Sequence, residues 1–583
     1  MRIAVIDRDK CTKEKCGYLC MKVCPGVRMG DETVTVEKET GFPVISEILC
    51  TGCGICVKRC PVGAIKVINL AGEAGTLVHQ YGPNSFRLFN LPLPKEKSVV
   101  GLIGANGIGK STALKILCKK ITPNMGDYSG GTKWESVLEK FKGKAVYNFL
   151  LSLEKGVKVS YKPQGVDTIP EVFKGKVKEL LKKNDERGIL SEAVKKFSLE
   201  SVLDRKIAEL SGGELQRVAI CAAYVRNADI YYFDEPTSYL DIEQRLSVAR
   251  HIKELSDEKE VVLVEHDLAV LDYLSDYVHV LYGTAGAYGV VSGIKAARSG
   301  INEFLAGYLK EENVRFRDQE IRFLGGASEM KGGQVAFSYP EIKKKYKSFS
   351  LECEGGSVRK SEVVGILGPN AIGKTTFVKM LAGAEEPDSG DTGVSLKVSY
   401  KPQYLKREFS GTVAAFLDSA GINRGVFDSE VSRGLEIGEL MDKEIANLSG
   451  GELQRAAIAA CISKDADLYL LDEPSAFLDI EQRLRFAGLM RKVIETSEKS
   501  AFIVDHDVVL LDNVSDRLMV FKGKSGEHGT AGAPLDKKKG MNSFLKDMGV
   551  TMRRDKDSLR PRVNKPGSQL DSEQRESGNY YYS

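Results

Sequence analysis

The sequence predicts an α/β multidomain chain in which a small cysteine-rich domain precedes two copies of one strand–loop–helix domain. Three observations carry this. Eight of the twelve cysteines lie between Cys11 and Cys60. A glycine-rich loop that follows an apolar strand and leads into a helix occurs twice, ending in Lys110 and Lys374. Downstream of each loop the same four short motifs recur in the same order, 238 to 240 residues apart. A period that long signals duplicated domains and not short stacked repeats. At ~150 residues per domain, the 583 residues allow about four domains.

Composition narrows the function classes. Lys plus Arg is 84 and Asp plus Glu is 80, a net charge of +4. That excludes a histone-like or polybasic-tail protein, so any nucleic-acid surface must be a local patch. An apolar fraction of 42% supplies ordinary buried cores. No run of ~18 apolar residues occurs, which argues against a transmembrane helix. The opening MRIAVIDRDKCTKEKC has no apolar signal-peptide core. The expectation is a soluble, cytoplasmic protein with no membrane association.

A reducing compartment disfavours disulfides, so the clustered cysteines are expected to bind metal. Cys50-x2-Cys53-x2-Cys56-x3-Cys60-Pro61 is the bacterial-ferredoxin run for a [4Fe–4S] cluster. Cys11-x4-Cys16-x3-Cys20-x3-Cys24-Pro25 is a looser version with the same Cys-Pro ending. In such runs the last cysteine ligates the other cluster. Crossed ligation is therefore predicted: Cys50, Cys53, Cys56 and Cys24 on one cluster, Cys11, Cys16, Cys20 and Cys60 on the other. The competing reading is two Zn(Cys)4 sites. Zinc favours paired C-x2-C hooks over a four-cysteine run ending in proline, so iron–sulfur is preferred. The scattered Cys118, Cys221, Cys353 and Cys461 read as small buried hydrophobes.

The first glycine-rich loop is Gly104-Ala-Asn106-Gly107-Ile-Gly109-Lys110-Ser111-Thr112; the second is Gly368-Pro-Asn370-Ala371-Ile-Gly373-Lys374-Thr375-Thr376. Each follows an apolar strand, Val99–Ile103 or Val363–Leu367, as a P-loop requires. Backbone N–H groups at the helix N-terminus cradle phosphates, Lys110 and Lys374 reach the β and γ phosphates, and Ser111 and Thr375 offer hydroxyls to Mg²⁺. Then come Tyr-Lys-Pro-Gln (Gln164, Gln403), Leu-Ser-Gly-Gly-Glu-Leu-Gln-Arg (from Leu210 and Leu448), a strand ending in Asp-Glu-Pro (Asp234-Glu235, Asp472-Glu473), and His266 or His506 after another apolar strand.

These motifs resemble the ATP-binding cassette superfamily, and the resemblance implies their roles. Asp234 and Asp472 hold Mg²⁺ with Gln164 and Gln403. Glu235 and Glu473 orient and deprotonate the attacking water, and His266 and His506 contact the γ-phosphate. Ser211 and Gly213 of one signature loop, and Ser449 and Gly451 of the other, close over the nucleotide held by the opposite cassette. Tyr239-Leu-Asp241 and Phe477-Leu-Asp479 look like the D-loops, with aromatics where a small residue is usual. Adenine is expected to stack on Tyr81 or Phe86 in the first cassette, with Tyr339 the candidate in the second. The loops differ at Ser111/Thr375, Gly107/Ala371 and Tyr239/Phe477, so unequal sites are expected.

The first cassette has about 25 more residues between P-loop lysine and glutamine than the second. The extra piece, Lys133–Lys158, reads as two amphipathic helices joined at Gly143, with apolar faces Trp134, Val137, Leu138, Phe141 and Val146, Phe149, Leu150, Leu153. Its six Lys against three Glu leave open a solvated bracket or an RNA contact. Each cassette is followed by a matched segment, Gly300–Leu305 and Gly540–Leu545. The second, Asp536–Gly567, carries ten Lys/Arg against four Asp and is the best candidate basic surface.

An eight-cysteine domain, two cassettes, a helix-loop-helix insert in the first and paired hinges together resemble the E subfamily of these proteins, the RNase L inhibitor family of archaea and eukaryotes, archaeal type. The implied layout is a two-[4Fe–4S] ferredoxin-like domain (1–73), nucleotide-binding domain 1 (74–290, insert about 130–158), hinge 1 (291–325), nucleotide-binding domain 2 (326–530), basic hinge 2 (531–567) and a flexible tail (568–583). The cofactors implied are two [4Fe–4S] clusters, ATP and Mg²⁺. The implied function is ribosome recycling. The protein, a monomer, splits ribosomes with an A-site release factor or its surveillance paralogue. It stays on the small subunit and its rRNA, near initiation factors, until ATP is hydrolysed. One departure from the family is Ala371, where a methyl strains the loop if the position needs φ > 0. The rival enzyme reading is a redox-coupled ATPase that drives electrons through the clusters.

Overall fold

A computed structural model describes residues 2–69, 75–128, 130–323, 333–390, 396–403 and 407–581. The expected boundaries at 73/74 and 325/326 lie outside these residues. Contacts divide the chain into two compact units. One is Met1–Ser238, His251–Glu265 and Leu274–Gln319; the other is Tyr239–Arg250, His266–Tyr273 and Glu320–Ser583. Among the described residues, no helix is long and apolar enough to cross a membrane.

The first unit opens with the cysteine-rich domain. Its outer strands Arg2–Ile6 and Ile65–Asn69 pair antiparallel, and a hairpin joins Val34–Val36 to Pro43–Ile45. Ala4, Ile6, Val34, Ile45 and Ile65 form its core with Cys20 and Cys56. Asn84 ties the domain to the first cassette. Its Nδ2 donates to the carbonyls of Ala4 (2.9 Å) and Ile45 (3.0 Å), and its Oδ1 accepts from the Ile45 N–H (2.7 Å). Arg87 adds an ion pair to Glu47 at 2.5 Å.

The main sheet of this unit has eight strands, in the order 77–80, 87–89, 288–296, 277–284, 99–103, 260–264, 230–234, 159–162. The run 277–284, 99–103, 260–264, 230–234, 159–162 is parallel. Strands covered on both faces are near-continuous apolar runs, as in VVGLI, EVVLV and IYYFD, whose charged residues stand only at the strand ends. The insert forms helices Trp134–Phe141 and Val146–Glu154 around Gly143 (φ +81°). Its apolar face joins the cassette core through Val137, Phe141, Leu150 and Leu153, while its six lysines are all exposed.

The second unit repeats the sheet in the order 342–345, 350–353, 528–531, 517–524, 363–367, 500–504, 468–472, 398–401. Three expectations are corrected. Hinge 1 is expected from residue 291, but Tyr288–Ala296 is one continuous sheet strand and the change comes at the helix Ala297–Ala306. The tail expected to be flexible folds: Ser568 caps a helix over Gln569–Glu576, and Tyr581 is buried with its N–H on Asn542 (2.7 Å) and its hydroxyl bonded to Asp512 and Arg554. Asp571 anchors that helix by accepting from Thr551 Oγ1 (2.6 Å) and the Gly567 N–H (3.0 Å).

The third correction is partial, since Lys538, Lys539, Lys546, Lys556 and Lys565 of the basic hinge stay exposed. The hairpin of that hinge, Met552–Arg554 with Pro561–Val563, turns arginines inward. Arg560 is fully buried and donates to Asp272 Oδ1 at 3.2 Å. Arg562 donates to both Asp272 oxygens (2.6 and 3.1 Å), and Arg554 to both Asp512 oxygens (2.9 and 3.1 Å). Three of the hinge's ten basic residues are thus neutralised inside the fold.

Candidate nucleotide and cluster sites

Parallel strands end at one edge of each sheet, and the loops leaving that edge converge. In the first unit they bring together the P-loop, Gln164 and the Asp234-Glu235 pair. Gly109 (φ +97°) and Gly373 (φ +99°) cap the P-loop helices Lys110–Leu117 and Lys374–Leu381 in a conformation other residues resist. Lys110 and Lys374 are buried and curl back over the loop. Lys110 Nζ donates to Gly104 O (2.8 Å) and Ala105 O (2.7 Å), Lys374 Nζ to Gly368 O (2.8 Å) and Pro369 O (2.5 Å). Burial pushes Lys374 down to about 8, opposed by Glu473, Asp241, Asp472 and Asp505. Asn370 donates its N–H to Asp241 Oδ2 at 3.1 Å.

Asp472 fits a cation ligand. Both its oxygens are buried with no donor in hydrogen-bonding geometry among the described residues. Burial pushes its carboxyl up to about 6, against the nearby Thr375 hydroxyl. Burial raises Asp234 in the same way against Ser111, and Tyr161 donates to its Oδ2 at 3.3 Å. Carboxylate, hydroxyl and amide oxygens are the hard donors Mg²⁺ prefers.

The next residues, Glu235 and Glu473, both have φ +48°. Gln164 and Gln403 donate Nε2–H to their Oε1 at 2.7 Å. His506 Nε2 lies 3.4 Å from Glu473 Oε1. Burial opposes the ionised Glu473, but His506, Gln403 and Lys374 outweigh it and hold it down to about 2. Burial, then Lys374, push the His506 imidazole below its usual range. The pair at neutral pH is a carboxylate facing a neutral imidazole. His266 is buried beside Leu268, Ile480, Arg483 and Asp507.

Ser211 and Ser449 cap the signature helices Gly212–Tyr224 and Gly450–Ile462 through reciprocal bonds with Glu214 and Glu452. The glycines are needed for close approach: a Cβ on Gly451 would sit 2.9 Å from Phe477 O. Phe477 and Tyr239 are both left-handed (φ +63° and +65°), and their rings meet edge to face at 6.2 Å. Ala371 is left-handed at φ +55°, as Gly107 is at +72°.

For adenine, Tyr81 is half exposed and its hydroxyl is 3.1 Å from Thr112 Oγ1, while Phe86 lies over Gly109. In the second unit Tyr339 is corrected: it is a core residue, edge-on to Phe377 at 5.7 Å. Tyr346 and Phe349 hold the matching places. Tyr346 interacts with Thr376, Phe349 lies over Gly373, and the two rings are 6.3 Å apart. The signal was available, since Tyr346 and Phe349 precede Lys374 by 28 and 25 residues where Tyr81 and Phe86 precede Lys110 by 29 and 24.

One cavity is lined by Cys11, Cys16, Cys20 and Cys60 with Leu19 and Ile65. Burial, and to a smaller degree Cys50, Cys53 and Cys24, raise the Cys56 thiol. Four sulfurs around an apolar cavity suit a cluster with thiolate ligands.

Family models agree with this layout. The ABC transporter model matches residues 90–238 and 355–476, the 4Fe-4S binding domain model 43–66, and the model of a possible Fer4-like domain in RNase L inhibitor 1–32. An ABC transporter ATP-binding protein of Methanocaldococcus jannaschii is 52% identical, over 100% of this chain and 98% of its own length. Translation initiation factor RLI1 of Saccharomyces cerevisiae is 45% identical, over 100% and 98%. The solved structure described as a model of ribosome-bound archaeal Pelota and ABCE1 is 52% identical, covers 100% of this chain and 99% of its own, and superposes with a TM-score of 0.93. The chain is an ATPase with two [4Fe–4S] clusters. It belongs to the RNase L inhibitor family, the E group of the ATP-binding cassette proteins.

Proposed function

We propose that this chain is an ATP-driven ribosome-recycling factor that splits ribosomes together with an A-site release factor or its surveillance paralogue. The observation that carries it is the match, end to end, to a ribosome-bound relative at a TM-score of 0.93. The protein remains on the small subunit and its rRNA, where it meets initiation factors, until ATP is hydrolysed. It acts as a monomer in the cytoplasm. The exposed lysines of the insert are its surface for RNA.

Each site binds one ATP. Tyr81 and Phe86, or Tyr346 and Phe349, take the adenine. Lys110 and Lys374 leave the loop carbonyls for the β and γ phosphates, and the signature helices behind Ser211 and Ser449 offer their N-termini to phosphate. Asp234, Ser111 and Gln164, or Asp472, Thr375 and Gln403, would hold the Mg²⁺, which would supply charge neutralisation at the phosphates. Glu235 and Glu473 take the proton from the attacking water, and His266 and His506 donate toward the γ-phosphate. Cys11, Cys16, Cys20 and Cys60 would hold one cluster and Cys24, Cys50, Cys53 and Cys56 the other, which would stiffen the domain that Asn84 ties to the first cassette. Nucleotide-driven closure then moves that domain as a lever.

Sucrose-gradient sedimentation of ribosomes with the protein, a release factor and ATP or a non-hydrolysable analogue tests this. Subunits must separate, with the protein trapped on the small subunit by the analogue. Intact ribosomes and no bound protein, from material of confirmed iron content, would leave the redox-coupled ATPase as the reading to pursue.

A further inference from the structure

A buried ammonium lies beneath each catalytic glutamate, and no role so far uses it. Lys162 and Lys401 end the strands Val159–Lys162 and Val398–Lys401, and each is 1% exposed. Lys162 Nζ donates to the main-chain carbonyls of Asp234 (2.9 Å) and Glu235 (3.0 Å). Lys401 Nζ donates to those of Asp472 (2.8 Å) and Glu473 (3.2 Å).

The need for such a donor comes from the backbone. Each Asp ends a parallel ladder, paired with Val264 or Val504, and the Glu N–H makes the last ladder bond to that valine's carbonyl (3.0 and 2.8 Å). The glutamate then turns left-handed. Two consecutive carbonyls are left inside the protein, where each must find a donor. Lys162 lies opposite Phe233, and Lys401 opposite Leu471, one residue short of the Asp on the adjacent strand. A four-carbon stem from there spans to both carbonyls, and an ammonium has donors for both. Gln216 Nε2 adds a bond to Glu235 O and Gln454 Nε2 one to Glu473 O, both 2.7 Å. A non-glycine residue in this region of φ persists only where its surroundings over-determine it.

Two residues after each lysine stands the glutamine that holds the other end of the same glutamate, its carboxylate, at 2.7 Å. The proline between them has a fixed φ. Lys-Pro-Gln is therefore a rigid two-point grip, one point on the main chain and one on the carboxylate. It recurs in both copies.

We propose that Lys162 and Lys401 are positioning residues that hold Glu235 and Glu473 in the left-handed conformation that aims their carboxylates at the attacking water. This rests on the reading of those glutamates as the catalytic bases.

The test uses the full chain with both clusters. Lys162→Met with Lys401→Met removes both ammoniums with little change in volume. We expect kcat for ATP hydrolysis to fall ~10- to 100-fold, the size of effect a misplaced general base produces, with ATP affinity unchanged within about twofold. On a Glu235→Gln/Glu473→Gln background the same lysine substitutions should change the residual rate by less than about twofold, because their effect passes through the glutamates. Should the methionine pair fail to fold, Lys162→Gln with Lys401→Gln keeps a neutral donor and should give an intermediate kcat. The proposal is overturned if the lysine variants keep the parent kcat, if the rate falls only in step with ATP affinity, or if the loss recurs in full on the glutamine background. If the Glu→Gln pair itself still hydrolyses ATP at the parent rate, the reading of the glutamates fails, and this is seen independently of the lysines.

Discussion

Asp272 offers a quantitative test of how the basic hinge is held. Its side chain is 1% exposed and accepts three hydrogen bonds, one from Arg560 and two from Arg562. Arg562 has a second carboxylate, Asp555 at 3.3 Å, whereas Nε and Nη1 of Arg560 have no partner among the described residues. Burial pulls the Arg560 guanidinium below its usual range even with Asp272 beside it. Asp272→Ala would thus strand a buried cation. Removing one partner of a buried pair costs about 3–5 kcal/mol, and at ~2 °C per kcal/mol for a large unit the melting temperature should fall ~6–10 °C. Asp272→Asn keeps the shape and loses the charge, so it should fall in between. Asp272→Leu with Arg560→Met removes both charges and should recover most of the loss. The chain's single tryptophan, Trp134, sits in the first unit, so its fluorescence would miss the event. Calorimetry, with hydrogen exchange over residues 552–563, reads it directly. A loss below ~1 kcal/mol for Asp272→Ala would refute the claim that Arg560 depends on Asp272.

The nucleotide sites give two further expected outcomes. Asp472 binds a proton below about 6, and a metal must displace it, so apparent Mg²⁺ affinity at the second site should fall about tenfold per unit below that pH and stay flat above it; titration calorimetry giving a pH-independent affinity would remove Asp472 from the ligand set. A Cβ on Gly107 would meet nothing closer than Gly286 N at 3.5 Å, ordinary contact, so Gly107→Ala should cost only the backbone strain of φ +72°, about 1 kcal/mol in an unfolding midpoint. ATP affinity should be kept; a tenfold loss would mean that the methyl reaches the phosphates.

Local pattern and spacing carried most of the fold. Strands such as VVGLI and IYYFD read as buried because parallel strands are covered on both faces, and the motifs sit at their ends. The insert's apolar spacing put Val137, Phe141, Leu150 and Leu153 on the faces that pack. Features that escaped the sequence depended on distant partners. Ten basic residues in the second hinge suggested a charged surface, but Asp272 lies 288 residues before Arg560 and nothing local points to it. Tyr339 looked like an adenine platform because it is an aromatic upstream of the loop, yet its strand turns it into the core. The tail's polar composition hid a readable cap, Ser568 three residues before Asp571.

The two sites differ in the residues around the phosphates and agree in those beneath the glutamates. Ser111 against Thr375, Gly107 against Ala371 and Tyr239 against Phe477 are changes at the loops where nucleotide and D-loop sit. Ala371 adopts the same left-handed backbone that Gly107 does, so the second loop keeps its shape at a cost in strain and not by changing course. Below them, the lysine, the glutamine and the φ of the glutamate are the same in both. Substitutions under the glutamates should therefore impair both sites alike, whereas any asymmetry in turnover should move with exchanges at the loop positions. An Ala371→Gly/Gly107→Ala swap that left the asymmetry in place would direct attention away from the phosphate loops and toward Tyr239 and Phe477, whose rings touch each other.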